Sequence, residues 1–424
     1  MNFKTILMGA LALTLTLGAA QAQTELRITG ATAFRAAAMN TLLARFLAGT
    51  GFRYAHNGDS FTGCTYAVFE GNYPGITGNN TTIRVSWNGS VEGINAVVNS
   101  PSADPLYLNS GVLTGNLTVS GTATPNVTTS GNLTALQSDL SFSDVNKAST
   151  PFGSAPLEPT NANVGVVVFS MIANDGAPAG LTNVTQKQFE ALFVNGYEEL
   201  SLFTGNASDN DALVFASGRN DGSGTRTTYM AETGVGITTL VQQYIGGNIT
   251  ADEIGFIKLS GPTNQPSTIW NQNLAGNGGY SSGGSLNTLF QAKASAVDIY
   301  FSDTAVVGTD PADLEDIPVT LITFLTISDC VTAVGQGAKA LSYNGVGITP
   351  ANPLSAGDQN KVKYGAYTAW GYQTLYRRSG LTANQLAIDA DIRASIPANI
   401  GAAGIPISAM ASSRVVDGGV VNSL

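Results

Sequence analysis

The segment Arg219–Thr225, which reads RNDGSGT, has the composition of a loop that binds an anion. It follows the apolar run Ala212–Ala216, and its two glycines permit a tight turn and a close approach of the backbone to a ligand. If a helix begins at Ser223, Gly224 and Thr225, its first amides are unpaired and carry partial positive charge, and the two hydroxyls add further donors. The segment therefore predicts a cradle for an oxyanion.

Two charged side chains belong to the same segment. The guanidinium of Arg219 offers a planar pair of donors that matches two oxygens of a tetrahedral anion. Asp221 either orients that guanidinium or caps the turn. An ordinary surface turn rich in Asp and Gly is the alternative for this segment taken alone.

The order of strand, glycine-containing turn and helix occurs twice more along the chain. The first copy consists of strand Glu25–Ile28, turn Thr29–Thr32 with Thr32 as the helix cap, and helix Ala33–Phe46; the second consists of strand residues Ile83, Val85 and Trp87, turn Asn88–Ser90 and helix Val91–Val98. In open α/β sheets, helix N-termini meet at a crevice beyond the strand ends, where ligands bind. The repetition therefore predicts a ligand site built from three helix N-termini.

A fourth element places a carboxylate beside hydroxyl groups. Ser141, Phe142, Ser143 and Asp144 follow an irregular stretch of the chain. Asp144 is either a ligand-facing carboxylate or the cap of a following helix.

Composition limits the classes of function. The chain has 424 residues, of which 43% are apolar and 11% charged, and a net charge of −10, which argues against a nucleic-acid partner. His56 is the only histidine and is expected in a polar loop, so a multi-histidine metal site is excluded. Because no phosphate-binding GxxxxGK[ST] loop, HExxH or GxSxG motif occurs, we expect neither an enzyme nor a bound cofactor.

The N-terminus is typical of a secretory signal peptide, residues 1–22. Lys4 is followed by the apolar run Ile6–Leu17 and by the small-residue cleavage site Ala20–Ala22. The residue directly after that site is Gln23 and not a cysteine, and no later segment is a candidate membrane span, so we expect an exported protein, periplasmic or extracellular, that is not a lipoprotein. Cys64 and Cys330 either pair or remain two buried thiols.

The ordered motifs resemble the PstS family, the phosphate-binding receptors of ABC importers within the type II periplasmic binding proteins. The landmarks are GATAF at Gly30–Phe34, NGSVEG at Asn88–Gly93, FSD at Phe142–Asp144, NVGVVVFSMIAND at Asn163–Asp175, LTNVTQKQFEALFVNG at Leu181–Gly196, RNDGSGT at Arg219–Thr225 and YGAYTAWGYQTLY at Tyr364–Tyr376. The resemblance covers most of the chain after residue 22. The resemblance implies a monomeric phosphate receptor, free of cofactor and metal, that serves an ABC permease.

The resemblance also implies a fold and a set of ligand contacts. The fold would be α/β with two lobes, each a mixed sheet flanked by helices: residues 23–157 with 348–424, and residues 158–347. Phosphate would be bound by Thr32, the amide of Ala33, Ser90, Asp144, Arg219 steered by Asp221, and the helix start at Ser223, Gly224 and Thr225.

Asp144 would decide which anion binds. A carboxylate repels a fully ionised oxyanion, whereas it accepts a strong hydrogen bond from a P–OH group. Phosphate keeps a proton near neutral pH and sulfate does not, so the resemblance implies a preference for phosphate over sulfate.

Several features depart from the family pattern. Ala33 stands where many relatives have a large aromatic residue, and Glu92 stands where Gly or Ser is usual. An insertion of about residues 97–138, with the Thr-rich stretch Gly115–Thr134, predicts a β-hairpin-like element that is either a surface decoration or an arm for a partner. Arg35 and Arg226, just inside two helices, are second-tier candidates for ligand contacts, and we expect each to be a solvated surface charge instead.

Three alternatives to phosphate uptake remain open. The first is a secreted surface or matrix protein that makes contacts through the Thr-rich insertion, the second is binding of another tetrahedral oxyanion such as molybdate, and the third is an enzyme acting on phosphate esters. The enzyme would require a metal site or an activated nucleophile, and the sequence contains no motif for either.

Overall fold

The computed structural model of the protein describes residues 23–76, 80–118, 120–159, 162–250, 254–260, 276–292, 298–300, 319–400 and 404–424. The expected signal peptide, residues 1–22, lies outside these ranges.

Helices and strands alternate along most of the chain. The helices are α1 Arg35–Leu47, α2 Ser90–Val98, α3 Gln186–Asn195, α4 Ser201–Thr204, α5 Gly224–Glu232, α6 Gly283–Phe290, α7 Ile327–Gly335, α8 Ala356–Lys363 and α9 Ala383–Asn399. The strands are β1 Thr24–Gly30, β2 Phe52–His56, β3 Tyr66–Gly71, β4 Thr81–Ser86, β5 Leu106–Leu108, β6 Thr122–Thr124, β7 Leu133–Ala135, β8 Leu140–Ser143, β9 Asn163–Ala173, β10 Asn183–Val184, β11 Tyr197–Glu199, β12 Leu213–Ala216, β13 Tyr244–Ile249, β14 Ile254–Leu259, β15 Asp298–Tyr300, β16 Val319–Thr326, β17 Lys339–Tyr343, β18 Trp370–Arg377, β19 Gly404–Ile405, β20 Ser412–Ser413 and β21 Asn422–Ser423.

Most of the strands form one mixed sheet with the order β11-β12-β16-β9-β18-β8-β1-β4-β3-β2-β6. Strand β1 is parallel to β4 on one side and to β8 on the other, whereas β18 is antiparallel to both β8 and β9. The prediction of an α/β fold with mixed strands flanked by helices is confirmed.

Strand β9 connects two groups of strands. Its first part, Asn163–Val168, pairs with β18, and its second part, Phe169–Ala173, pairs with β16. Ten of its eleven residues are buried, as expected for a strand covered on both faces. The apolar run in the sequence therefore marks the strand that carries the chain from one group to the other.

The three predicted strand, turn and helix units are present. They correspond to β1 with α1, β4 with α2, and β12 with α5. The predicted cap at Thr32 is wrong, because a 3₁₀ turn over Thr32–Phe34 precedes α1 and the side chain of Thr32 caps neither helix. The extra turn moves the start of α1 to Arg35.

The insertion lies against the main sheet. Strands β5 and β7 pair antiparallel in the manner of a hairpin, and β6, between them in sequence, adds in parallel to β2 at the sheet edge. Leu108 and Leu113 are buried in one apolar cluster with Ala55 and Val68 of the sheet. This packing favours a surface decoration over an extended arm.

Three smaller predictions concern the cysteines, the histidine and membrane spans. Cys64 and Cys330 are buried free thiols. The loop position expected for His56 is wrong, since His56 ends β2 and is 5% exposed beside the rings of Tyr54 and Phe61. In the part of the chain that the structure describes, no helix is both long enough and apolar enough to cross a bilayer.

The start of α3 provides a test of local helix capping. The hydroxyl oxygen of Thr185 accepts from the amide of Gln188 at 3.3 Å, and the Gln188 side chain accepts from the amide of Thr185 at 2.8 Å. We expect Thr185→Ala to lower the free energy of unfolding by about 1 kcal/mol because one helix-start amide loses its acceptor. Urea unfolding measures this change. Thr185→Ser is the control and should keep wild-type stability; an alanine variant as stable as wild type would contradict the assignment.

Candidate anion-binding site

The N-termini of α2 and α5 meet at the carboxyl ends of their strands. The amide of Val91 donates to the carbonyl oxygen of Gly222 at 3.2 Å. Gly89, which has a φ of +109°, lies so close that a Cβ there would be 2.6 Å from the same carbonyl oxygen. Glycine is required at position 89 both for its backbone conformation and for the approach of the two helices.

Asp144 lies between these two helix N-termini and is 1% exposed. The hydroxyl of Ser90, the first residue of α2, donates to Oδ1 of Asp144, and the hydroxyl of Thr225, in the first turn of α5, donates to Oδ2 at 2.9 Å. The amide of Asp144 donates to Oγ of Ser90 at 3.2 Å, and the hydroxyl of Thr228 donates to its backbone carbonyl at 2.9 Å. These bonds hold both the backbone and the side chain of Asp144 in place.

Burial raises the pKa of Asp144 from its ordinary value. The hydrogen bonds from Ser90 and Thr225 and the charge of Arg219 offset part of this increase because each favours the ionised form. Asp144 is therefore a carboxyl group whose protonation is easier than that of an exposed aspartate.

Gly224 leaves the space that this carboxylate occupies. A Cβ at Gly224 would lie 1.9 Å from Oδ1 of Asp144 and 2.6 Å from Cβ of Ser90. A glycine at this position, the first residue of α5, is therefore needed for direct contact between α5 and the side chain of Asp144.

Arg219 is buried beside this cluster, with 2% of its surface exposed. Its Nε donates to the carbonyl oxygen of Tyr280 at 3.1 Å and its Nη2 to that of Ser281 at 2.9 Å. Burial lowers the pKa of Arg219, and the carboxylates of Asp329 and Asp144 offset part of this decrease. Neutral carbonyl groups thus orient a guanidinium whose positive charge lies close to Asp144.

The segment at Tyr280 is GGYSSGGS, which sequence analysis alone does not assign to Arg219. The amide of Asn220 donates to the carbonyl of Tyr280 at 3.0 Å, and the amide of Tyr280 donates to that of Gly218 at 2.9 Å. This paired backbone aligns the Tyr280 and Ser281 carbonyls with the guanidinium of Arg219.

Ser223 and Arg226 stabilise the start of α5. Oγ of Ser223 accepts from the amide of Arg226 at 3.3 Å, so Ser223 is the N-cap. The surface position expected for Arg226 is wrong: this residue is 5% exposed, and its guanidinium donates to the backbone and side-chain oxygens of Asn277 at 2.8 and 2.6 Å. Burial lowers the pKa of Arg226 to about 10, and the charge of Asp221 opposes that decrease.

Asp221 and Glu92, the latter in the first turn of α2, lie near one another. Asp221 is 8% exposed, and its charge contributes with burial to raising the pKa of Glu92. Glu92 lines a shallow surface groove with Asn95 and Asn99. The steering of Arg219 by Asp221 stays a prediction.

Thr32 and Ala33 lie in the wall of a neighbouring cavity of about 490 Å³. Arg35, from the first turn of α1, and Asp329, from the first turn of α7, line the same cavity. Sequence reasoning missed Asp329 and expected Arg35 to be solvated. The signal for Asp329 is its place just after strand β16, three residues beyond the N-cap Thr326.

The structure thus divides the predicted residues into groups. Ser90, Asp144, Gly224 and Thr225 are in direct contact, and Arg219 is next to them. Thr32 and Ala33 form part of the adjoining cavity wall, while Ser223 stabilises the helix start. Among the described residues, no group of three or more His, Cys, Asp or Glu side chains is arranged to hold a metal ion.

Comparisons with known proteins give structural matches only. No protein family model and no curated protein matches the sequence. A protein from Clostridium perfringens, described as a phosphate ABC transporter substrate-binding protein with bound phosphate, is similar at 11% identity and a TM-score of 0.46, over 91% of this chain and 100% of its own. An ABC-type phosphate transport receptor from Vibrio cholerae is similar at 13% identity and a TM-score of 0.42, over 89% of this chain and 97% of its own. PstS from Borrelia burgdorferi is similar at 10% identity and a TM-score of 0.37, over 91% and 99%.

The contact at Gly224 gives a test of the site geometry. We expect Gly224→Ala to lower the free energy of unfolding by about 1–3 kcal/mol, because the new Cβ would clash with Asp144 and Ser90 and push both away from α5. Gly284→Ala is the matched control, since a Cβ in the first turn of α6 would meet only Oγ of Ser282, at 3.8 Å. Urea unfolding of both variants measures the difference. Equal stability of the two variants would contradict the described packing.

Proposed function

We propose that this chain is an extracytoplasmic binding protein that captures inorganic phosphate for uptake by an ABC permease. The observation that carries the proposal is the convergence of the Ser90 and Thr225 hydroxyls, from two helix N-termini, on one buried carboxylate beside the buried Arg219. Helix N-termini and an arginine supply affinity for an oxyanion. The carboxylate supplies selection for an anion that carries a proton.

Phosphate binding exchanges hydrogen bonds within this cluster. Ser90 and Thr225 each have one hydroxyl proton, and both protons are donated to Asp144. Phosphate oxygens take over these two donors, and the amides at the start of α5 and the guanidinium of Arg219 add to them. Asp144 then accepts from the P–OH group, so the anion enters without leaving the carboxylate unpaired.

In this proposal the protein has two lobes, which meet along β9 and β18. One lobe contains residues 23–157 and 348–424 and provides Thr32, Ser90 and Asp144, and the other contains residues 158–347 and provides Arg219 and Thr225. Closure of the lobes around phosphate excludes water and shortens the contacts from both sides. The protein acts as an exported monomer, and binding requires no chemical reaction.

Calorimetric titration of phosphate-stripped protein tests the ligand class. We expect phosphate to bind at least about 100-fold more tightly than sulfate or molybdate at neutral pH, because neither of these brings a proton to Asp144. In Asp144→Asn the discrimination between phosphate and sulfate should largely disappear, since the amide can donate to a fully ionised oxygen. Equal affinity of the wild type for phosphate and sulfate would refute the role of Asp144, and binding of none of the three anions would refute the function.

The pH dependence of sulfate binding tests the same carboxyl group independently. Sulfate requires protonated Asp144, so its affinity should fall about tenfold for each pH unit above the pKa of Asp144, which burial raises. Sulfate affinity should be greatest below that pKa and should be almost independent of pH in Asp144→Asn. A flat profile for the wild type, measured by calorimetry at constant ionic strength, would show that Asp144 does not face the ligand.

A further inference from the structure

The cavity beside the proposed phosphate site is large enough for an organic molecule. It has a volume of about 490 Å³ and lies between the first turns of α1 and α7. Sites for small organic molecules have volumes of about 300–1,000 Å³, and inorganic phosphate would fill a small part of such a space. The cavity therefore has room for a substituent attached to a bound phosphoryl group.

The cavity lies next to Arg219. A Cβ at Gly283 would be 2.0 Å from Oδ2 of Asp329, in the cavity wall, and Gly283 is two residues beyond Ser281, whose carbonyl accepts from Arg219. Thr32 and Ala33 line the cavity and are also expected to contact the anion. The charge of Asp329, in the cavity wall, opposes the decrease that burial causes in the pKa of Arg219, and Arg35 adds to that decrease. A substituent on a phosphoryl group held near Arg219 would thus extend past Asp329 and Arg35.

The cavity wall provides donors and acceptors for hydroxyl groups. Nη1 of Arg35 donates to the carbonyl of Cys64 at 3.1 Å, while its Nε is buried and has no hydrogen-bond partner among the described residues. The carboxylate of Asp329 accepts from the hydroxyl of Thr326 at 2.9 Å and has further acceptor capacity. Asn40, from α1, and Asn352 add side-chain amides to the cavity wall.

The charged groups in the wall balance one another. Among the described residues that line the cavity, Arg35 and Asp329 are the charged ones, with one charge of each sign. A second anionic group on the ligand would be attracted by one and repelled by the other. An uncharged substituent with several hydroxyls can instead donate to Asp329 and accept from Arg35.

We infer that the site also binds the singly protonated form of a phosphate monoester of a polyhydroxylated group, such as a glycerol or sugar phosphate, with its phosphoryl group at Ser90, Thr225 and Arg219 and its hydroxyls in the cavity. This inference rests on the proposed phosphate site and extends the class of its ligand. It assigns Arg35 and Asp329 to contacts with the substituent.

Binding of a monoester should depend more strongly on pH than binding of inorganic phosphate does, because Asp144 needs a protonated ligand oxygen as its hydrogen-bond partner. A phosphate monoester loses its second proton at about pH 6. Above that pH, the proton of the hydrogen bond between the ligand and Asp144 must be taken up from solvent when the monoester binds. Monoester affinity should therefore increase as the pH is lowered from about 8 to about 6.

The test is calorimetric titration at pH 6 with inorganic phosphate, glycerol 3-phosphate, glucose 1-phosphate and pyrophosphate. Ala36→Trp fills the cavity from α1, and Thr332→Trp fills it from α7. Ala44→Trp is the matched control, because Ala44 is an exposed residue of α1 outside the cavity. Thermal unfolding of each variant checks that it is folded.

We expect at least one monoester to bind wild type as tightly as inorganic phosphate or more so. Both cavity-filling variants should weaken that monoester about tenfold or more and leave inorganic phosphate within about threefold, whereas Ala44→Trp should change neither. Binding of inorganic phosphate without binding of either monoester would overturn this inference and leave the proposed function intact. Tighter binding of pyrophosphate than of both monoesters would overturn the assignment of an uncharged substituent, and failure of all four probes would overturn the proposed function itself.

Discussion

The contact between the N-termini of α2 and α5 depends on the carboxylate of Asp144. Two helix N-termini that approach one another bring together unpaired amides and partial positive charges, which is unfavourable without an acceptor between them. The negatively charged Asp144 lies between them and accepts hydrogen bonds from the hydroxyls of Ser90 and Thr225. Glycines at positions 89 and 224 keep the space between the helices free of side chains. The arrangement that stabilises the contact between α2 and α5 also brings together hydrogen-bond donors that suit an oxyanion.

Two buried arginines, Arg219 and Arg226, lie near the contact between α2 and α5. Arg226 is paired with the oxygens of Asn277 and anchors the start of α5. Arg219 is oriented by the carbonyls of Tyr280 and Ser281, which cancel none of its formal charge. A guanidinium buried against neutral acceptors gains from a nearby anion, because its own desolvation is only partly compensated. Arg226, whose acceptors are also neutral, anchors the start of α5, whereas Arg219 lies beside Asp144, where the proposed anion would bind.

The features that could be predicted from the sequence are those that local chain chemistry determines. The helix-start positions of Ser90 and Thr225 are predictable because each residue follows a glycine after a strand, and the crossing strand β9 is predictable because it is a continuous apolar run. Asp329 follows a strand without an intervening glycine, so the same pattern did not include it. The pairing of the Arg219 guanidinium with carbonyls 61 and 62 residues away depends on tertiary contacts that no local signal encodes. Arg226 was misplaced for the same reason, since its partners at Asn277 come from a distant loop.

The most direct test of the account is an experimental structure of the protein with bound phosphate. We expect the anion between Ser90, Thr225 and Arg219, with one phosphate oxygen within about 2.5–2.7 Å of a carboxylate oxygen of Asp144, the separation typical of a charge-assisted O–H···O bond. The hydroxyls of Ser90 and Thr225 should then donate to phosphate oxygens. A structure in which both hydroxyls still donate to Asp144 while phosphate binds elsewhere would contradict the central claim.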